Sequence, residues 1–259
     1  VLHECQAALG NVERSAARCV QWIGPPKPPA ALPPPPRPPQ SEVQAARKQE
    51  LLIQRLSSAQ GAMQVAALQL LRAELGLSHV RIVSLTVAFP SGEEGTMRLQ
   101  MVPDEAMPVT LLYWLRQISA GLWDGARFHR KAPHVLQASL GTRFRQFRLA
   151  LASRAETSLS VPFQEYNASW PHEQYTVGLA GRPGGPDWYI SKQDNTRNHG
   201  PGSQNPDAVL LGEADPCFAK MKSGHDVLDK IYRLPVKGDS LDPPLRIVKM
   251  RLERASENS

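Results

Sequence analysis

Near Gly76 the apolar period of the chain changes, and this change limits the possible folds more than any single motif. Before it, Leu52, Leu56, Ala59, Met63, Ala66, Leu70 and Ala73 recur at alternating steps of four and three residues, the seam of an α-helix. After it, His79–Phe89 and Thr96–Val102 alternate apolar with polar residues, the period of half-buried strands. The chain should therefore be a helical arm followed by a mainly β domain. The helix is expected to start at Ser41 as N-cap, with Glu42 in its first turn, and to run to Leu75, closed by Gly76. Its seam has two readings: a coiled coil that self-associates or docks on a partner helix, or an amphipathic helix packed on its own domain.

Ahead of the helix, ten of the fifteen residues from Pro25 to Pro39 are proline. Proline fixes φ and removes a donor, so this stretch reads as an extended polyproline II spacer. Its P-x-x-P pattern between Pro33 and Pro39 also fits a ligand for SH3 or WW domains. The organisation expected is an N-terminal segment (1–23), a proline-rich spacer (24–40), the long helix (41–76), the β domain (78–254) and a short tail (255–259).

The net charge of +6 divides evenly, +3 over residues 1–77 and +3 beyond, so nucleic acid is not an expected partner. One run is locally basic. Arg127, Arg130, Lys131, Arg143, Arg145, Arg148 and Arg154 occur with no acidic residue among them. They offer a surface for a phosphate, a sulfated glycan or an anionic membrane, or else form the solvated face of a strand pair. No run of 18 apolar residues is present to span a bilayer as a helix. The chain begins at Val1, as a fragment or processed form would. Cys5 and Cys19 can pair in an oxidising compartment, and Asn167-Ala168-Ser169 is a glycosylation sequon. These two features lean toward a secretory-pathway lumen, and the compartment otherwise stays open. Cys217, beside Phe218, reads as a small buried hydrophobe. No Cys/His group has metal-ligand spacing, and no nucleotide-binding glycine motif or G-x-S-x-G elbow occurs, so neither metal nor cofactor is expected.

Within the β domain, Ser91–Gly95 should be a hairpin turn and Met107–Leu122 a helix opened by Pro108. Short strands are expected at Ala126–Arg130, Val135–Ser139, Thr142–Ala150, Thr176–Leu179, Trp188–Ser191, Ala208–Leu211, Phe218–Met221 and Leu245–Leu252. A helix is expected over Asp226–Tyr232. Residues 151–174 read as loop, and Asp194–Asp207, rich in Gly, Pro, Asn and Asp, as a surface loop. The order of elements suggests a closed antiparallel β-barrel capped by two helices and preceded by a long helix.

Three segments carry a resemblance: Phe128-His129-Arg130, then Gly185-Pro186-Asp187-Trp188-Tyr189-Ile190, then Gly224-His225-Asp226-Val227-Leu228 with Ile231. In order and spacing, over roughly Ser78–Glu253, these resemble the cyclophilin-type peptidyl-prolyl isomerases, which write them Phe-His-Arg, Gly-Ser-Gln-Phe-Phe-Ile and Gly-Met-Asp-Val-Val-x-x-Ile. The resemblance implies a capped barrel, a proline-containing peptide or protein as partner, and Arg130 as the catalytic side chain. Rotation about an X-Pro bond faces a barrier of about 18–20 kcal/mol. It needs no nucleophile, only an apolar seat for the ring and a preorganised donor at the amide. By the same resemblance Val135 and Leu136 stand for the family's pocket Phe and Met, and Tyr189 for the aromatic floor. Ala180 lines the groove, and Gly181 replaces the Asn that binds peptide backbone. Asp215 takes the place of the pocket His. The family's Gln falls on Ala138, while Gln137 lies one residue early and serves only if a bulge corrects the register. With these changes the expected activity is weak or lost, and the alternative is a non-catalytic scaffold or interaction module.

Overall fold

The computed structural model describes residues 40–78, 80–141, 160–203 and 213–253. The N-terminal segment, the proline spacer, Cys5 and Cys19 lie outside them, as do the expected strands at 142–150 and 208–211. The chain divides into two compact units, residues 1–51 and 52–259.

Helix α1 spans Gln40–Leu75. It starts one residue before Ser41, which therefore sits in the first turn rather than capping it. Gly76, with φ +74°, ends it in the left-handed conformation that glycine adopts without strain. The last carbonyls of α1 are taken by Arg81: Nη2 donates to Gly76 O at 2.7 Å and Nη1 to Leu75 O at 3.3 Å. The same guanidinium is clamped by buried Asp104 through two bonds of 2.8 Å. The helix end is thus satisfied by a fixed charge.

The second unit is built on nine strands: β1 (Ile82–Ala88), β2 (Glu94–Met101), β3 (Arg127–Lys131), β4 (Val135–Ser139), β5 (Thr176–Leu179), β6 (Trp188–Ser191), β7 (Cys217–Ser223), β8 (Val236–Lys237) and β9 (Ser240–Leu252). Their order is β1-β2-β7-β5-β6-β4-β3-β9-β8, and β9 also pairs with β1. Eight strands therefore close on themselves, with β8 added as a hairpin arm of β9. All pairings are antiparallel. This is the closed antiparallel barrel expected from the strand pattern. Alternation sends Val83, Leu85, Val87, Met97, Leu99 and Met101 inward from the first hairpin. Trp188 centres the core, with Trp114, Trp123 and Phe128 edge-on to it at 5.4–5.7 Å.

Two helices cover the barrel. Helix α2 (Pro108–Ser119) buries Leu111, Trp114, Leu115 and Ile118. Its N-terminal N–H groups have no side-chain cap of their own; instead buried Glu165 accepts from Thr110 N at 2.7 Å and Val109 N at 3.3 Å. A carboxylate there also complements the helix dipole. The short helix α3 is Thr196–His199. Helix α4 (His225–Tyr232) buries Leu228 and Ile231. Gly224 at its N-terminus is needed twice over: φ is +88°, and a Cβ there would meet Thr96 O at 2.6 Å.

The segment from Asp194 is more than a surface loop. Asn195, His199 and Ser203 are buried, because Asn195 Nδ2 donates to His134 O and the α3 turn is held from below by charged side chains described next. Strand β9 is longer than expected; Pro243 and Pro244 conceal it in the sequence because proline lacks the ladder donor.

Candidate functional site

The barrel wall has an outer face as well as a core. On it Ala132, Val135 and Tyr189 form a second, small buried apolar cluster with Ala180 packed against it. Strand pairing sets who joins them. Gln137 of β4 lies opposite Tyr189 of β6, and Tyr189 lies opposite Gly178 of β5. On the other side Arg130 of β3 lies opposite Gln137. Directly paired residues share a face, so Arg130, Gln137 and Tyr189 form one row across three strands.

The row exists because of a bulge. Phe128 pairs with Ala138 but Arg130 pairs with Gln137, so β3 uses two steps where β4 uses one. Without the extra residue, Phe128 and Arg130 would share a face. With it, Phe128 enters the core and Arg130 emerges beside Gln137. The irregularity that sets Gln137 beside Arg130 lies on the neighbouring strand, β3.

Arg130 is half-exposed. Its Nη2 meets Asp239 Oδ2, in the β8–β9 turn, at 3.3 Å. An ion pair this open is worth about 0–1 kcal/mol, so the guanidinium is tethered lightly. Two strand spacings, about 10 Å, separate its backbone from that of Tyr189. Gln137 Nε2 donates to Asp187 Oδ2 at 3.3 Å. Burial raises the Asp187 carboxyl above its usual range, against the opposing effect of hydrogen bonds from Ser139 and Gln137.

Tyr189 is 2% exposed. Gly178 leaves room for it, since a Cβ there would lie 2.5 Å from its hydroxyl. The ring is covered by His199, with centroids 4.6 Å apart and planes inclined by 32°. His134 stacks on His199 in turn, at 5.9 Å and 23°. His199 is fixed by Asp215, whose Oδ2 accepts from His199 Nδ1 at 2.8 Å and from Tyr189 Oη at 3.1 Å. A carboxylate has no proton to give, so Nδ1 of His199 carries one. The other Asp215 oxygen accepts from Arg182 Nε at 2.9 Å. Arg182 also donates to Ser203 O at 2.7 Å and Ser203 Oγ at 2.9 Å. His172 Nε2 bonds Asp215 O at 2.9 Å. Burial of Tyr189, reinforced by Asp215, pushes its hydroxyl well above the usual phenol range. Burial pushes the imidazoles of His172 and His134 down; for His134 the neighbouring His199 and Arg130 add to the effect. Although three imidazoles and a carboxylate meet here, no three His, Cys, Asp or Glu side chains among the described residues are placed to hold a metal ion.

The other expected site residues fall in different places. Leu136 points into the barrel core, fully buried, because it alternates with Val135 and Gln137 along β4. It cannot line an outer groove. Asp215 is 1% exposed, and its carboxylate is occupied by Arg182, His199 and Tyr189. It organises the site from beneath instead of forming its wall. Gly181 is an exposed turn residue with φ +93°, whose carbonyl accepts from Gln164 Nε2. Lys131 does not join an anion surface, since its Nζ donates to the carbonyls of Tyr232, at 2.9 Å, and Leu234, at 2.5 Å. Arg127 is exposed; Arg143, Arg145, Arg148 and Arg154 lie outside the described residues. Cys217 is buried as expected, its thiol pushed up to about 12 by burial. A hollow of about 260 Å³ is lined by Lys131, Ala132, Pro133, Tyr232, Val236 and Asp239.

His199, His134, His172 and Arg182 are the site residues that sequence reasoning missed. Their spacings, 38, 27 and 17 residues apart from His134 through His172 to His199 and from Arg182 to His199, follow no motif. Only the folded loop brings them together.

No family model matches the chain, and no curated protein matches it in sequence. Among solved structures it is similar to a cyclophilin-type peptidyl-prolyl cis-trans isomerase from Cryptosporidium parvum, at 11% identity, covering 68% of this chain and 99% of that one with a TM-score of 0.49. A second structure of a cyclophilin-type isomerase from the same organism, in the presence of the dipeptide Ala-Pro, gives 12% identity, 69% and 100% coverage, and a TM-score of 0.47.

Proposed function

We propose that the barrel is a divergent cyclophilin-type domain that takes proline-containing segments on its outer face beside Arg130, with peptidyl-prolyl isomerisation weak or lost. The observation that carries this reading is the row Arg130–Gln137–Tyr189, which sets a guanidinium, an amide and an aromatic ring on one face of three neighbouring strands. In this reading Arg130 directs its donors at the prolyl amide, and Gln137, Val135 and Ala180 meet the peptide around it. Gly181 offers only backbone.

The weakness has a physical cause. A pyrrolidine ring seated on Tyr189 needs the space that His199 fills, and His199 is held by Asp215. Val135 in place of a phenylalanine gives up about 1–3 kcal/mol of apolar contact. The lost backbone-binding Asn gives up about 0.5–1.5 kcal/mol more. Together these amount to about 1.5–4.5 kcal/mol, a rate lower by roughly one to three decades. The His199 contact also favours a second reading, in which the same face holds a partner without turning its proline and the domain is an interaction module.

A protease-coupled assay on a chromogenic proline peptide, run on wild type and Arg130→Ala, tests the proposal, with peptide binding followed by NMR. Slow catalysis removed by Arg130→Ala supports the isomerase. Binding without catalysis, weakened by the substitution, supports the module. Neither binding nor catalysis removes the proline-directed role altogether.

A further inference from the structure

Helix α1 carries two stripes with different destinations. Toward its own barrel it turns Ala67 and Leu71, both buried, while Gln64 Nε2 donates to Glu165 at 3.2 Å. The heptad seam lies about one residue round from that stripe, and it faces solvent. Leu56, Met63 and Leu70 are 46%, 44% and 45% exposed, and Ala59, Ala66 and Ala73 are exposed between them. Among the described residues the helix therefore meets its own domain without using the seam.

The seam is ordered by size. From Leu56 onward every second position is large (Leu56, Met63, Leu70) and every intervening one is alanine (Ala59, Ala66, Ala73). A parallel pair would stack large on large and alanine on alanine, leaving alternate layers crowded and void. An antiparallel pair about a two-fold axis places Leu56 against Ala73, Ala59 against Leu70 and Met63 against Ala66, and the reverse on the other side. Each layer then holds one large and one small side chain, the arrangement that fills a core evenly. Charge does not oppose it. Arg55 comes to lie near Gln69 and Gly76 of the second helix, and Glu74 near Ile53 and Gln60, so no like charges meet. The surface covered, roughly 1,000 Å² in total, is at the lower edge of stable interfaces, so a weak dimer is expected.

We propose that the chain forms a symmetric homodimer through an antiparallel pairing of α1, centred between Gln64 and Val65. This is independent of any activity at Arg130. The test is sedimentation equilibrium of the full chain, with Met63→Glu and Ala66→Leu as variants. Both substitutions lie on the solvent face of the monomer, so circular dichroism should show each folded. A monomer–dimer equilibrium is expected, weakened at least tenfold by either variant. Ala66→Leu discriminates, because in a parallel pair it would fill an alanine layer and tighten association. Orientation is read from spin labels at Arg55→Cys, in a Cys5→Ser, Cys19→Ser background. Antiparallel helices separate the labels by about 28 Å along the axis, whereas parallel helices place them side by side. A monomer at all concentrations to the millimolar range, a dimer indifferent to Met63→Glu, or side-by-side labels would each overturn the proposal.

Discussion

Arg130 faces Gln137 across the β3–β4 pair because β3 carries one more residue than its partner between Phe128 and Arg130. That irregularity separates the two demands on the strand. Phe128 completes the aromatic core around Trp188, and the residue two places on serves the outside surface. The outer row then depends on what occupies the space over Tyr189.

Replacing His199 by alanine uncovers that ring. Isomerase activity should rise at least tenfold over wild type and vanish again in the double variant with Arg130→Ala, measured in the protease-coupled assay. The same change removes one of the donors on Asp215 and should cost about 1–3 kcal/mol of stability, read from a denaturant midpoint. An unchanged or lower rate in a folded His199→Ala protein would falsify the covering role of the imidazole.

Asp215 should matter more for folding than for chemistry. Its carboxylate holds Arg182, His199 and Tyr189 together in a buried setting. Asp215→Ala leaves the Arg182 guanidinium without its charge partner, and breaking such a buried pair costs about 3–5 kcal/mol. Chemical denaturation should register that loss. A change below about 1 kcal/mol would mean the pair is solvated in solution.

Acid should loosen the domain before the carboxylates titrate. Burial holds His172 below its ordinary value of 6.5, so the folded chain resists a proton that the unfolded chain accepts. The stability of the neutral form is complete above that value and is lost as pH falls toward the folded pKa. His134 acts in the same sense. Asp187, raised above 3.8, acts oppositely in a lower window, where the folded chain gains a proton first. Melting temperatures between pH 7.5 and 5 should therefore fall with pH, and His172→Gln should flatten the slope. A melting temperature that rises on acidification over this range would contradict the burial of these rings.

Gly178 is the remaining test of the Tyr189 seat. An added methyl would overlap the phenol end of a ring already covered by His199, so Gly178→Ala should destabilise by about 1–3 kcal/mol. Thermal melts compared with Gly61→Ala, where nothing lies within 4 Å, provide the control.

The parts of the fold legible in the sequence are those encoded locally. Strands β4, β5 and β6 fall where short apolar runs place them, and α1 ends at the glycine that closes its pattern. The bulge in β3 was not readable, because it is a relation between two strands and neither shows it alone. The arm β8 was too short to carry a period, and Pro243-Pro244 disguised the start of β9. At the site, Arg130 and Tyr189 could be named from motif resemblance. Leu136 faces the core, a placement the sequence does not show, because a resemblance transfers residue types while the side of the wall they face depends on alternation. His199 was hidden in a segment whose Gly, Pro, Asn and Asp content looks solvent-bound, and only its distant anchors Asp215 and Arg182 draw it in.

The clamp on the Asn195–Ser203 segment gives this barrel a resident of its own. Any incoming guest must evict an imidazole wired to a buried counter-charge before it reaches the phenol beneath. In the proposed peptide-binding role, selectivity then depends less on the shape of a vacant hole than on whether the newcomer supplies more than the eviction removes. Short, weakly held peptides should be refused at the tyrosine, and long segments anchored elsewhere along the wall admitted.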